Sequence, residues 1–319
     1  MRTSPTNLLY IGGCGRSGST LLERMLGQVP GFCSIGEVRH LWRRGVVEDQ
    51  LCGCGERFHA CSFWTDVGQR AFGGWGSVDA ERVMRLDRSV DRHRYVPLLA
   101  APRSRPAFAR NLDAYIEILD PLYRAVRQTS AADVIIDSTA DPSYALILGR
   151  VPSIDLRVAH LVRDARGVAY SWTKRVVRPE ITGDTVYMPT YRPASSAAMW
   201  LTYNLLFEVF ARSRLPRHLV RYEELVSNPS SQLTAVLRFA GHEPTPDDLA
   251  FMGTDGLQLR PTHTVAGNPM RFAPSIQLRM DEAWRSKMPS RQRAFVSGIT
   301  WPLLLRYRYM PDRSGTARE

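Results

Sequence analysis

The sequence predicts an α/β fold in which a central parallel sheet is flanked by helices on both sides. Three observations carry this expectation. Leu8-Leu9-Tyr10-Ile11 reads as a short buried strand, a glycine-rich turn follows, and Leu21, Leu22, Met25 and Leu26 then recur at helical spacing. Further on, apolar runs ending in polar residues alternate with helical patterns, and that alternation calls for parallel strands joined by right-handed crossovers. Finally, 319 residues at 44% hydrophobic content suit one large domain with an inserted cap. Residues 1–310 are expected to form that single domain, about 43–106 its irregular lid or insertion, and 311–319 a flexible tail.

The first turn has the layout of a phosphate cradle. Glycines between Gly12 and Gly18 let the backbone curl so that the amides of Cys14–Thr20 face one point, and the helix N-terminus adds partial positive charge there. The nucleoside-triphosphate pattern G-x-x-x-x-G-K-[ST] is met in frame by Gly13-x-x-x-x-Gly18-Ser19-Thr20, but Ser19 stands where the lysine belongs. The cation lies inside the loop at Arg16, among the hydroxyls of Ser17, Ser19 and Thr20. Such a P-loop-like, three-layer arrangement suits a phosphate or sulfate and lacks the usual lysine for magnesium–ATP. This argues against a P-loop kinase.

Gln28-Val29-Pro30-Gly31 ends the first helix, and Phe32–Ile35 reads as a second strand with Gly36-Glu37 at its carboxyl end. Ligands of open α/β sheets sit beyond the carboxyl ends of the strands, so Glu37 is expected in the same crevice as the cradle. Arg43–Pro106, rich in Gly, Cys, Trp and Arg, is expected to be irregular. Ala107–Thr129 predicts a long helix with Pro121 as a kink or restart. Asp133–Ser138 is a strand, and Asp141-Pro142 opens a helix through Leu148. Leu156–Val162 is the next strand, ending in Arg163-Asp164 before a helix over Ala165–Trp172. Arg163 and Ser171 are so placed that a guanidinium fork and a hydroxyl can grip one phosphate.

Arg175–Pro193 reads as a polar substrate gate, Ser195–Arg212 as a helix, His218–Tyr222 as a strand and Pro229–Phe239 as a helix. Thr262–Phe272 is a loop with glycine, proline and a cation, built to fold over something. Trp284–Arg308 is helical, broken at Pro289 and Pro302.

A net charge of +11, carried mostly by arginine, suggests an anionic partner. A basic stripe with interleaved aromatics, the mark of nucleic-acid binding, is not visible. No apolar run approaches the ~20 residues of a membrane span and no signal peptide is apparent, so the cytoplasm is the expected location. The five cysteines are Cys14, Cys33, Cys52, Cys54 and Cys61. Cys52-x-Cys54 with Cys61, and Cys33 or His59 as a fourth ligand, does not have the C-x(2–4)-C spacing of structural zinc. The expectation is a small buried loop, open to a local disulfide, with no metal.

Several of these segments agree on one family. The chain resembles the sulfotransferases that use 3′-phosphoadenosine 5′-phosphosulfate (PAPS), in particular the actinobacterial branch related to tyrosylprotein sulfotransferases. Gly15-Arg16-Ser17-Gly18-Ser19-Thr20-Leu21-Leu22 matches the family's 5′-phosphosulfate loop. Leu161-Val162-Arg163-Asp164 through Ser171 matches its 3′-phosphate motif, and Gly36-Glu37 looks like the catalytic glutamate of the tyrosylprotein branch. Val220-Arg221-Tyr222-Glu223-Glu224-Leu225 and Gly267-Asn268-Pro269-Met270-Arg271-Phe272 are similar to further family segments.

The resemblance implies catalytic Glu37 and Arg16. It also implies PAPS contacts from Cys14–Thr20, Arg163, Ser171, Tyr222, Gly267, Asn268, Met270 and Arg271. The partners would be PAPS, its product PAP and a hydroxyl-bearing small-molecule acceptor, with no nucleic acid; a homodimer is compatible. Related bacterial members often carry a lysine where this chain has Ala140, so either another cation such as Arg16 covers its role or activity is altered.

Overall fold

The computed structural model describes residues 5–181, 185–210, 215–254 and 256–310; the expected tail at 311–319 and the last two residues of the helix expected to reach Arg212 lie outside them. A five-stranded parallel sheet occupies the centre. It is built from β1 (Thr6–Gly13), β2 (Phe32–Gly36), β3 (Val134–Ala140), β4 (Ile154–Val162) and β5 (Arg217–Arg221) in the order β2-β3-β1-β4-β5. The helices are α1 (Ser19–Leu26), α2 (Ser62–Phe72), α3 (Ala80–Val90), α4 (Val96–Ala100), α5 (Pro106–Ser130), α6 (Pro142–Leu148), α7 (Ala165–Ser171), α8 (Pro193–Phe210), α9 (Tyr222–Ser227), α10 (Pro229–Phe239), α11 (Ala283–Lys287) and α12 (Ser290–Arg306).

The alternation of β1 sets the layers. Leu8 and Tyr10 enter one core cluster with Ile135, Tyr115 and Tyr144; Leu9 and Ile11 enter another with Leu22, Met25, Ile136 and Leu225. Successive side chains of a strand point to opposite faces, so a strand apolar at every position needs cover on both. All four residues are at most 1% exposed, and each such side chain contributes roughly 1.5–3 kcal/mol. A third cluster joins α7, α8, α11 and α12 through Val168, Trp200, Trp284 and Leu304.

The stretch expected to be irregular is largely helical. A π-helical segment Leu41–Val47 leads through a cysteine-bearing loop to α2, α3 and α4. Trp42, Phe58, Trp64 and Trp75 interlock there, with ring centroids 5.3–6.0 Å apart. Phe63, Trp64 and Val67 form the buried face of α2, a helical stripe too short to stand out among the surrounding glycines. Arg39 bolts this layer to the sheet: Nη1 meets Asp141 Oδ2 at 2.7 Å and Nε meets Asp91 Oδ2 at 2.8 Å.

Elsewhere the expected elements hold within a few residues. Pro121 lies inside an unbroken α5, and Pro302 lies inside α12; only Pro289 marks a break, between α11 and α12. A small antiparallel sheet of β6 (Met252–Gly253), β7 (Gly256–Gln258) and β8 (Ser275–Ile276) was not expected, its strands being too short for a periodic signal. No helix among the described residues is long and apolar enough to cross a membrane.

Candidate functional site

The carboxyl ends of β1, β2, β3 and β4 open into one cavity of about 580 Å³. Gly15, Arg16, Gly18, Ser19 and Thr20 form one wall, Arg163, Ser171 and Tyr222 another, and Glu37 with Asn268 and Met270 a third. The strand–loop–helix unit thus brings its cradle to the same crevice as the residues that follow β2 and β4.

The loop between β1 and α1 is tight. Gly18 takes φ +101°, and a side chain there would come within 2.6 Å of the Tyr222 ring. Arg16 itself adopts φ +71°, at a cost of roughly 1–2 kcal/mol for a non-glycine residue. Its guanidinium lies over the Trp172 ring, 5.0 Å from the centroid. Nε and Nη2 of Arg16 and Oγ of Ser17 are buried with no hydrogen-bond partner among the described residues. Burial pulls the Arg16 pKa down, while the charge of Glu37 pulls it up. Unsatisfied buried donors around a cation are costly, and an oxyanion in the cradle would satisfy them. The first turn of α1 holds no acidic residue, which leaves its amides to that anion.

Arg163 stands at the end of β4. Its Nη1 donates to the Arg16 carbonyl at 3.2 Å, tying the two arginines' segments together. Nη2 donates to Asp281 Oδ2 at 3.1 Å, and the guanidinium rides 4.5 Å above the Tyr222 ring. Asp281 is shared with Lys174 Nζ at 3.1 Å. Tyr222, the first residue of α9, therefore touches both ends of the cavity: its ring backs Gly18 and supports Arg163.

Glu37 is placed by backbone. Gly36 takes φ +82°, and a Cβ on it would lie 2.2 Å from the Val265 carbonyl oxygen. That close approach lets the 262–271 loop extend the pairing of β2, with Val265 N donating to Ile35 O at 3.0 Å and Glu37 N to Val265 O at 2.8 Å. The Glu37 carboxyl is pushed above its ordinary value by burial, and the cations Arg44 and Arg271 oppose the rise. His40, 3.7 Å away, is pulled down to about 3 by burial and by Arg44, so it is neutral at pH 7.

Arg271 and Gly267 fall outside the cavity lining, and Cys14, expected to offer its backbone amide, turns its side chain into the core. Arg271 does not line the cavity; its guanidinium is buried and donates to the carbonyls of Thr264 at 2.8 Å and Leu51 at 2.9 Å, so it stiffens the loop from behind. The Cys14 side chain packs with Val162, Ala165 and Val168, and burial pushes its thiol far up. Gly267 lies behind Glu37: a Cβ on it would come 3.7 Å from Oε1. Asn268 caps the short helical turn Pro269–Phe272 by accepting from Met270 N at 3.0 Å. Ala140, at φ +67°, lines the cavity without adding a charge.

Sequence reasoning missed Glu23, Trp172 and Asp281. Glu23 is 3% exposed and accepts from Gly36 N and Ser138 Oγ, both at 2.8 Å, fastening α1 to the strand ends beneath Glu37. Burial holds its carboxyl up at about 8. Its signal was a carboxyl inside the apolar run Leu21–Leu26; Asp281 sits in a segment with no pattern to read.

No match is found among curated proteins. The sulfotransferase domain of the Synechococcus PCC 7002 olefin synthase is 22% identical and aligns over 98% of each chain with a TM-score of 0.54. The sulfotransferase domain of the curacin biosynthetic pathway is 17% identical, covering 94% of this chain and 98% of that one with a TM-score of 0.51. These likenesses establish a shared fold with a P-loop-like core. Residues 9–247, well over half of the chain, match the profile of the sulfotransferase family, and the chain belongs to that family.

Proposed function

We propose that this protein transfers a sulfuryl group from PAPS to the hydroxyl of a small-molecule acceptor, a carbohydrate, lipid or natural product. The observation that carries the reading is a single cavity with two arginine-centred anion positions and a carboxylate beside the first. The buried unpartnered donors of Arg16 and Ser17 fit the 5′-phosphosulfate end, and Arg163 with Ser171 fits the 3′-phosphate. A second phosphate position separates PAPS from ordinary adenine nucleotides. PAPS supplies the sulfuryl group.

Each residue then has a defined task. The cradle amides and the hydroxyls of Ser19 and Thr20 orient the phosphosulfate. Arg16 neutralises charge growing on the leaving phosphate oxygen, the preorganised electrostatic aid common to group transfers. Glu37 takes the proton of the attacking hydroxyl as the new O–S bond forms, and burial, which raises its pKa, makes its carboxylate a stronger base.

The test is Glu37→Gln. General-base catalysis contributes ~10²–10⁴-fold, so turnover should fall by about that much while PAP affinity by calorimetry stays unchanged. Full activity in this variant removes Glu37 from the role. Magnesium–ATP bound more tightly than PAP would return the protein to the kinase class.

A further inference from the structure

We propose that Cys52, Cys54, Cys61 and His263 form a tetrahedral zinc site that pins the 50–61 loop to the 262–271 loop. Their ligand atoms all lie within 4.8 Å of one another. Cys54 Sγ is 3.7 Å from Cys61 Sγ, and His263 Nδ1 is 3.3 Å from Cys61 Sγ and 3.9 Å from Cys52 Sγ. A zinc ion with bonds of about 2.3 Å to sulfur and about 2.0–2.1 Å to nitrogen gives tetrahedral edges of roughly 3.8 and 3.6 Å. The Cys54–Cys61 edge lies close to the sulfur–sulfur length, and the two His263 edges fall on either side of the sulfur–nitrogen length. Three thiolates and an imidazole are also the donor set that selects zinc over harder cations.

The surroundings are built for ligation. Cys52 and Cys61 are each 1% exposed. His263 is held by its neighbours: Phe63 stacks on the ring at 4.7 Å with planes 9° apart, and Trp64 Nε1 donates to its carbonyl at 2.9 Å. Fixing the ring in this way aims Nδ1 at the sulfurs, the usual task of groups behind a metal ligand. The fourth ligand comes from 202 residues beyond Cys61, which is why local cysteine spacing hid the site. Neither Cys33 nor His59, the partners considered from sequence, belongs to the cluster.

A local disulfide is the competing use of these thiols. All five cysteines are free, and 3.7 Å is far from a bond of about 2.05 Å. Zinc binding would release the thiol protons of the three cysteines and leave the imidazole neutral. The clamp would act on the site from behind. Gly53 N donates to Thr264 O at 2.9 Å, and the next residue, Val265, holds the Glu37 amide. The ion would therefore steady the loop that places the carboxylate, without touching the cavity.

The test uses the full chain purified without chelator from zinc-supplemented culture. Elemental analysis should find one equivalent of zinc, and exchange into cobalt(II) should give the visible bands of a tetrahedral thiolate site. Cys61→Ser should lower zinc retention at least about tenfold, His263→Cys should keep it, and Cys33→Ser, another cysteine substitution outside the cluster, should leave it unchanged. If Cys61→Ser does not fold, thiol accessibility of the unaltered protein with and without chelator decides: exposure of three further thiols on zinc removal supports the site. Reduced protein that takes up neither zinc nor cobalt(II), or a Cys54–Cys61 disulfide found by mass in the purified chain, overturns it. None of these readouts depends on sulfuryl transfer.

Discussion

Arg16 and Arg163 face the same cavity in opposite states. Among the described residues, Arg16 has two buried nitrogens without a hydrogen-bond partner, and its guanidinium rests on the Trp172 face. Arg163 is already engaged by the Asp281 carboxylate and the Arg16 carbonyl. The first is a cation held in strained backbone with its fork left open, so an arriving anion gains charge-assisted hydrogen bonds and displaces no protein partner. The second must exchange one anion for another, so its net contribution is smaller. Under the proposed function the contrast would separate two tasks: Arg16, with its fork open, would meet the changing charge of the reaction, while Arg163 would release Asp281 to hold a competing phosphate.

Three substitutions test that division, the largest effect first. Arg16→Ala removes the only cation inside the cradle loop, and kcat should fall about 10²–10³-fold, the worth of one preorganised donor to developing negative charge. A loss confined to KM would make Arg16 a simple binding residue and erase the distinction. Arg163→Ala should act on binding: calorimetry should show PAP affinity reduced about 10- to 100-fold, in line with the loss of charged hydrogen bonds. Affinity unchanged would leave the 3′-phosphate without its proposed holder. Asp281→Asn weakens the carboxylate that occupies Arg163 and should tighten PAP by up to about fivefold, since a partly exposed ion pair is worth at most ~1 kcal/mol. Weaker binding in this variant would instead make Asp281 part of the nucleotide site.

The same two arginines show how far the sequence could be read. Both sit beside glycines or strand ends whose local pattern gives chain direction, and the order strand, loop, helix is enough to bring Gly15–Thr20, Arg163 and Ser171 to one side of the sheet. What set their states was not local. Asp281 reaches Arg163 across 118 residues, and no periodicity announces it. The helices within 43–106 were obscured because their apolar faces are short and divided by glycines, although tryptophans that interlock on folding lie in plain view. Arg271 was legible as a cation in a loop but not as one turned toward carbonyls, since side-chain direction there depends on Leu51, 220 residues away.

The third wall of the cavity extends the comparison to Glu37, whose protonation depends on cations that never reach the anion positions. Burial raises its pKa and Arg44 is the strongest of the charges holding it down. A carboxyl raised on folding binds its proton more tightly folded than unfolded. Its contribution to stability is therefore full below the ordinary carboxylate pKa and is lost as pH rises through the raised value. With Glu37 as the proposed base, activity would run the other way, because only the ionised form accepts a proton. Arg44→Ala removes a favourable charge and lets the pKa climb further, so the acid limb of kcat/KM should move to higher pH while PAP affinity and the plateau rate well above that limb change little. A limb that stays in place shows that the profile reports another group; a limb that moves down shows that Arg44 does not face the ionised Glu37.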